Sequence, residues 1–580
     1  MPRPGFLLGL ALLLTALAYL DTLRFQFVYD DIPQIVLNPR LESWSFVPAF
    51  FREHVWAHMQ GPNEGNYYRP VFLLWLLVNR TLFGLNPLGW HATALALHLA
   101  VTFLVGRLAF SVSQDAWMAA LAALIFGLHP IHVEAVAWLS SANDPLAALF
   151  AISCSLFWLR SRRDPRPSRW LALSLLCYSL ALLTKESVIV LPLMVALLAW
   201  MTDSSSGALG RALRQSGPYW LLTLFLYLPL RYAVFGRLGS LATPITWDTL
   251  LWTLPSVAWF YSGKLLLPIG LSAFYDFSFV NSPDFANFAL PLLGLLALAA
   301  GLWFIGRRWP SPALVAGLVW LLPILPVLAL PAFPATQIVG DRYLYLPSIG
   351  FVTLVALALR RIRLGSTLRF GLPTGQFTAA LVLAALLGAG TVAQARHWAT
   401  NLSLYTRAVE MAPRNLDALT FLANELTNRG QMDLAIRLYH EALAIDPNYW
   451  WGNLSLGITY YRAGDLAQAE MFLSRAITAN PNNSLQFLHL GLVRRAQGDL
   501  PQAQAALEHA IRLEPTASGY RTILAEVEEQ RGDLEAALRH YREEAALVPN
   551  HAVLAERIRR VEQRLRERPA DSQPTLERKP

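Results

Sequence analysis

This sequence is short of charge. Only 15% of its 580 residues are Asp, Glu, Lys or Arg, against about 25% in an ordinary soluble domain. The deficit is local: apolar runs fill residues 6 to 394, and charge returns to ordinary density beyond Arg396. The chain is 55% hydrophobic, with a mean hydropathy of +0.38. Cysteine is nearly absent too. Cys154 and Cys177 both lie inside apolar runs, so they read as small apolar packers and exclude a disulfide scaffold or a zinc centre. No P-loop, dinucleotide glycine pattern or zinc-ligand spacing occurs. The net charge of +8 brings no basic stripe with interleaved aromatics in the polar part, which argues against nucleic acid as a partner.

The apolar runs predict an all-α, polytopic membrane domain. Arginines concentrate in three short loops, 160–169, 307–308 and 360–363 with Arg369, and short Lys/Arg-rich loops stay cytoplasmic. Spans are expected at 6–23, 88–110, 116–129, 145–160, 170–184, 187–201, 217–235, 288–305, 311–330, 346–360 and 376–394, about eleven helices. The runs 70–83 and 250–268 cannot also cross if the arginine loops share one side. They are expected as interfacial or re-entrant helices on the outer side. The first run, Phe6 to Leu20, continues through Leu23 with no small-residue cleavage site, so it reads as a retained span and not as a signal peptide. An odd span count with a cytoplasmic N-terminus puts the chain beyond residue 395 on the outer side.

That outer part is a repeat. Pro413, Pro447, Pro481, Pro515 and Pro549 recur every 34 residues, and Gly430, Gly464, Gly498 and Gly532 keep the same period, as do Ala435, Ala469, Ala503 and Ala537. That period is the tetratricopeptide signature, one helix–turn–helix per repeat. Glycine ends each first helix in a left-handed conformation, small alanine lets the two helices approach, and proline closes the second. Four repeats cover about 416–551. A second-helix-like segment at 399–412 precedes them, and its missing partner falls on the last span, so the array is expected to stack on the membrane domain. A capping helix is expected at 551–567. The expected domains are therefore 1–395 (membrane), 396–567 (repeat α-solenoid) and a disordered tail, 568–580. Such arrays bind peptides or proteins on a concave face. Trp450, Trp451, Tyr460 and Tyr461 are candidates to line that face, the plainer reading being repeat core.

With this topology the unusual polar groups converge on the outer membrane face. The first outer loop, 27–39, reads FVYDDIPQIVLNP. Adjacent Asp30 and Asp31 suit general-base work, one near an acceptor hydroxyl and the other held by hydrogen bonds, or else they form a solvated turn. In the stretch 129–144, HPIHVEAVAWLSSAND, His129, His132 and Glu134 can ligate a metal, but the motif is weak. Hydrogen-bonding or substrate contact is the favoured reading, with no metal or other cofactor expected. Lys185 and Glu186 interrupt an apolar stretch, where a charge pair is expensive unless paired or functional. Lys185 can grip a lipid phosphate, and Arg342, in DRYLYLP, offers a planar fork for one. For both, the alternative is an ion pair or anchor at a helix end. Together these residues describe a cleft with cations for a phosphate and a carboxylate base, the parts that glycosyl transfer from a lipid-phosphate donor needs.

The motifs FVYDDIP at 27–33, Tyr68-Arg69-Pro70, HPIHVEAVAW at 129–138, Lys185-Glu186 and RYLYLPS at 342–348 resemble the transmembrane and tetratricopeptide-repeat-containing O-mannosyltransferase family, of the C-type glycosyltransferase superfamily. The resemblance runs from the first loop through the array. It implies inverting transfer of a sugar, mannose in the animal members, from a polyprenyl phosphate to Ser or Thr of a protein, with the array holding the acceptor or a partner. Asp30 and Asp31 carry over as catalytic, Asp30 favoured as the base. From their own chemistry Lys185 and Arg342 are the candidate phosphate ligands, and Tyr68, Arg69, His129, His132, Glu134, Asp144 and Glu186 the candidate cleft residues. The stretch 143–146 resembles the opening of the superfamily's fourth span, although Ser replaces the arginine often found upstream. The chain is shorter than animal members and rich in Ala, Leu and Arg, which suits a bacterial relative in the inner membrane with its array in the periplasm. Two other readings compete: a non-catalytic scaffold assembling envelope complexes through its repeats, and a transferase acting on a lipid or glycan acceptor.

Overall fold

The computed structural model describes residues 4–59, 66–201, 205, 207–238, 245–308, 310–361, 368–369, 372–548 and 552–567. Arg363, Pro549 and the expected tail lie outside them. The chain divides into two compact units, Met1–Ala412 and Pro413–Pro580.

The N-terminal unit is built of helices, many opened by a proline at the first helical position, as at Pro4, Pro70, Pro87 and Pro167. There the missing N–H costs nothing and the fixed φ already suits a helix. Asn86 caps Pro87–Ser113 by accepting the Leu88 N–H, and Asp115 caps Ala116–Leu128 by accepting those of Trp117 and Met118. Ala116–Leu128 packs against Pro4–Ala18, Pro87–Ser113 and Ser348–Arg361, while Asn143–Ser161 pairs with Pro167–Leu182. Small residues let backbones meet. A Cβ on Gly350 would lie 2.2 Å from the Trp320 backbone nitrogen. Cys154 is buried beside Ser174, and both cysteines are free thiols. Among the described residues one two-residue strand pair, Leu368–Arg369 with Leu372–Pro373, interrupts the all-α expectation.

The expected count of eleven spans needs correcting. Among the described residues four helices are long and apolar enough to cross a membrane: Pro87–Ser113, Leu139–Ser161, Phe285–Phe304 and Thr374–Arg396. A fifth arises if Ala116–Leu128 and Pro130–Ala137, bent by 52° at His129, form one span. The reason is length. Gly5–Ala18, Glu186–Trp200, Val315–Leu328 and Ser348–Arg360 are apolar but of 10–17 residues, and at 1.5 Å per residue these fall short of a hydrocarbon layer about 30 Å thick. The runs expected as interfacial form the helices Pro70–Phe83 and Trp247–Leu266.

The C-terminal unit keeps closely to its period. The helix pairs are Leu416–Asn428 with Met432–Ile445, Trp450–Ala463 with Leu466–Ala479, Ser484–Ala496 with Leu500–Leu513, and Tyr520–Arg531 with Leu534–Leu547. Gly430, Gly464, Gly498 and Gly532 take φ of 77, 87, 85 and 83°, the left-handed conformation expected of them. Ala435, Ala469, Ala503 and Ala537 are fully buried. The helix Ala552–Arg566 closes the unit through Leu554 and Val561, with Arg560 and Arg564 each 3.1 Å from Glu529.

The segment expected to begin the array, 399–412, belongs instead to the N-terminal unit. Its helix Asn401–Met411 is opened by a capping box between Thr400 and Ser403. The Gln26 N–H donates to the Ala399 carbonyl at 3.1 Å, and Trp398 stacks on Trp138.

Candidate active site

The acidic stretch of the first loop forms a tight turn. Tyr29 takes φ of +53°, a left-handed conformation that costs a residue with a Cβ about 1–3 kcal/mol. Neighbours hold it there. Its N–H donates to Asn401 Oδ1 at 2.9 Å. Its ring meets Trp138, Phe274 and Tyr405 at centroid distances of 5.4, 5.7 and 6.4 Å. Asn401→Ala removes one part-buried hydrogen bond. It is expected to cost about 0.5–1.5 kcal/mol in thermal unfolding and to loosen the turn that carries the carboxylates.

The two neighbouring carboxylates part company. Asp31 is fully buried. Its Oδ1 accepts the Ser140 N–H at 2.8 Å and the Ser140 hydroxyl at 2.7 Å, and its Oδ2 accepts the Val28 N–H at 3.3 Å. Burial pushes its carboxyl up to about 7, against the pull of these bonds. Asp30 is half-buried and lines a cavity of about 130 Å³. Among the described residues its side chain accepts no hydrogen bond. Burial raises it to about 7, with Arg342 pulling the other way. A carboxyl poised near neutrality is matched to general-base work at neutral pH.

Three cations line the same cavity, Arg69, Lys185 and Arg342, and a carboxylate holds each one. Arg342 donates through its backbone N–H to Glu134 Oε2 at 3.0 Å and through Nη1 to Oε1 at 2.5 Å. Its guanidinium lies 5.0 Å from the Trp138 ring and 4.7 Å from that of Tyr343. Lys185 Nζ donates to Asp144 Oδ1 at 2.5 Å, both side chains being buried. Arg69 makes a two-pronged pair with Glu186 at 3.2 and 2.7 Å and lies over the Tyr67 ring. Burial works to raise the Glu186 carboxyl, but Arg69 holds it down to about 2. Arginine carries five N–H donors and an ammonium three, so these pairs leave donors over for an anion in the cavity.

The remaining expected residues sit behind this surface or away from it. Glu134, Asp144 and Glu186 orient the cations without lining the cavity. Tyr68 is buried and donates to the Phe51 carbonyl at 3.0 Å. His129 pairs with the Leu265 carbonyl at 3.1 Å, and His132 with the Phe126 carbonyl at 2.7 Å and Ser348 Oγ at 2.8 Å. Neither histidine lines the cavity. Among the described residues no three His, Cys, Asp or Glu side chains are grouped to hold a metal ion. In the C-terminal unit Trp450, Trp451, Tyr460 and Tyr461 are half-buried and pack on the repeat core. Trp451 meets Phe421 edge-on at 4.7 Å, and Tyr460 stacks on Phe472. Tyr67, Ser140, Gln337 and Tyr343 also line the cavity and Asn401 holds the Tyr29 turn, none of them singled out by the sequence. Ser140 had a visible signal, a polar pair inside an apolar run. Asn401 had none, lying 372 residues from Tyr29 in the chain.

The human protein O-mannosyl-transferase TMTC1 is 26% identical over 522 residues, covering 79% of this chain and 57% of its own. The Drosophila melanogaster protein O-mannosyl-transferase Tmtc3 is 25% identical, covering 78% and 56%. Over most of its length the chain is thus similar to proteins named as protein O-mannosyl-transferases. It spans a little over half the length of these curated relatives. The tetratricopeptide-repeat family models match residues 426–488 and 488–552, so the C-terminal unit is a tetratricopeptide-repeat array. Among solved structures, a thermophilic TPR protein of Thermus thermophilus is 28% identical, covering 31% of this chain and 94% of its own with a TM-score of 0.26.

Proposed function

We propose that the chain is an integral-membrane glycosyltransferase that moves a sugar, mannose by analogy with its relatives, from a polyprenyl-phosphate donor to Ser or Thr hydroxyls of a protein. The observation that carries this reading is Asp30, a carboxyl raised toward neutrality and facing a cavity that Arg69, Lys185 and Arg342 also line. Asp30 takes the proton of the acceptor hydroxyl as its oxygen attacks the anomeric carbon. The bond from that carbon to the phosphate oxygen breaks, and configuration inverts. Arg342 and Lys185 meet the charge developing on the departing phosphate, the largest contribution such a site makes. Asp31, tied to Ser140, fixes the turn that aims Asp30. No cofactor enters this scheme, because side-chain cations do the work of a metal. The reaction takes place on the non-cytoplasmic side, at the inner membrane if the chain is bacterial, and the array recruits the acceptor protein or a partner.

The experiment is transfer of labelled mannose from synthetic polyprenyl-phosphate mannose to an acceptor protein by the purified chain. Labelled O-mannosyl Ser or Thr, undiminished by EDTA, is the expected product. A chain ending at Ala412 separates acceptor classes. If the acceptor is a protein, losing the array lowers transfer by about tenfold or more, equivalent to about 1.4 kcal/mol of recruitment. A glycan acceptor leaves the rate unchanged. A full-length chain that transfers to neither refutes the enzyme reading in favour of a scaffold.

A further inference from the structure

A second cavity lies among the helices Pro87–Ser113, Asn143–Ser161, Leu191–Met201, Pro310–Leu321 and Ser348–Arg361, with a volume of about 240 Å³. Its wall is apolar, formed by residues such as Ala109, Ile152, Met194, Ala316, Ile349 and Gly350. The hydroxyls on the wall are already spent on their own helices: Ser111 donates to Leu108, Ser155 to Ala151 and Thr353 to Ile349. An apolar cavity of this kind has nothing to offer water or a sugar. It does suit a hydrocarbon chain.

One charged residue, Arg163, also lines it. Arg163 stands just past the end of the apolar helical stretch Leu139–Ser161, where a membrane-crossing helix would emerge into the headgroup layer. The loop there holds five arginines and one acid, Asp164. Arg160 and Arg169 claim that acid, at 3.9 and 3.3 Å, and both also lie over the Trp170 ring. Arg162 and Arg163 are exposed and form no ion pair among the described residues. An uncompensated guanidinium at the headgroup level is a phosphate ligand by geometry and charge.

We infer that this cavity is a binding site for an anionic phospholipid, with an acyl chain between the helices and the headgroup phosphate on Arg163. The site is separate from the cavity of Asp30, Lys185 and Arg342, and it does not depend on the transferase reading.

Native mass spectrometry of the full-length chain, titrated with dioleoylphosphatidylglycerol or dioleoylphosphatidylcholine, tests it. Phosphatidylglycerol is expected to bind at least about tenfold more tightly than phosphatidylcholine, a difference of about 1.4 kcal/mol. Arg163→Gln should abolish that preference. Arg307→Gln should not, since Arg307 lies over Trp303 and does not line this cavity. Ala316→Leu, which fills the cavity, should weaken both lipids. The inference is overturned if Arg163→Gln leaves the preference intact or if Arg307→Gln removes it equally. Polyprenyl phosphate displacing phosphatidylglycerol one for one, at equal or higher affinity, overturns it as well and assigns the cavity to the donor's chain.

Discussion

Asp30→Asn is expected to lower mannosyl transfer by about 10²- to 10⁴-fold, the span a positioned general base contributes, while leaving the protein folded. The asparagine fills the same volume and keeps an oxygen toward the cavity, but it cannot take a proton. Asp31→Asn reports on something different. It puts an amide where Oδ1 or Oδ2 accepts from Ser140 and Val28, so it should lower both activity and melting temperature. The catalytic assignment fails if Asp30→Asn retains full transfer at saturating donor.

Acidity sharpens the contrast. Burial raises Asp30 to about 7, and the base works only when ionised. The wild-type rate should therefore climb as pH rises through about 7 and fall away below it. Stability runs the opposite way. A folded-state value above the unfolded one, about 3.9, contributes stability that is fully present below the unfolded value and lost as pH rises through the folded one. At pH 8 the ionised Asp30 is thus a burden on the fold. Asp30→Asn should melt at or above the wild-type temperature there, and the difference should vanish near pH 4. A variant that loses activity and gains stability together points to a functional carboxylate, a trade expected where a site keeps a group its fold would rather neutralise.

The two ends of this molecule differ in how much the sequence discloses. The array was legible almost residue by residue, because each repeat is a local unit and the left-handed glycines and buried alanines each recur at one spacing. The membrane domain was legible only in outline. Hydropathy marks apolar runs, but where a helix starts and stops depends on caps and tertiary contacts. Runs expected as spans accordingly emerged as helices too short to cross alone. The site was read as a set of residue types, not as a geometry. Asp31 meets Ser140 across 109 residues, and Tyr29 meets Asn401 across 372, distances over which no local pattern can speak. The same blindness misplaced the start of the array. The segment 399–412 carries a repeat-like helix, yet Asn401 ties it to the strained turn beside the acidic pair and joins it to the N-terminal unit.

Lys185 and Asp144 give the other large effect. The ammonium and carboxylate meet at 2.5 Å with about 5% and 7% of their side chains exposed, and Ser141 supports the far carboxylate oxygen at 3.3 Å. Removing one partner leaves the other charge buried and uncompensated, which costs about 3–5 kcal/mol. Asp144→Ala should therefore lower the melting temperature sharply. Replacing both partners with apolar groups of similar size, Asp144→Leu with Lys185→Met, removes the stranded charge and should recover most of that loss, since a well-packed apolar pair is often as stable as the ion pair it replaces. Under the proposed mechanism transfer should not recover with it, because the ammonium proposed to meet the donor phosphate is gone. Thermal unfolding and the transfer assay on the single and double variants separate the two roles. A double variant that regains both stability and activity confines the pair to the fold, leaving Arg342 and Arg69 as the cations that hold the donor.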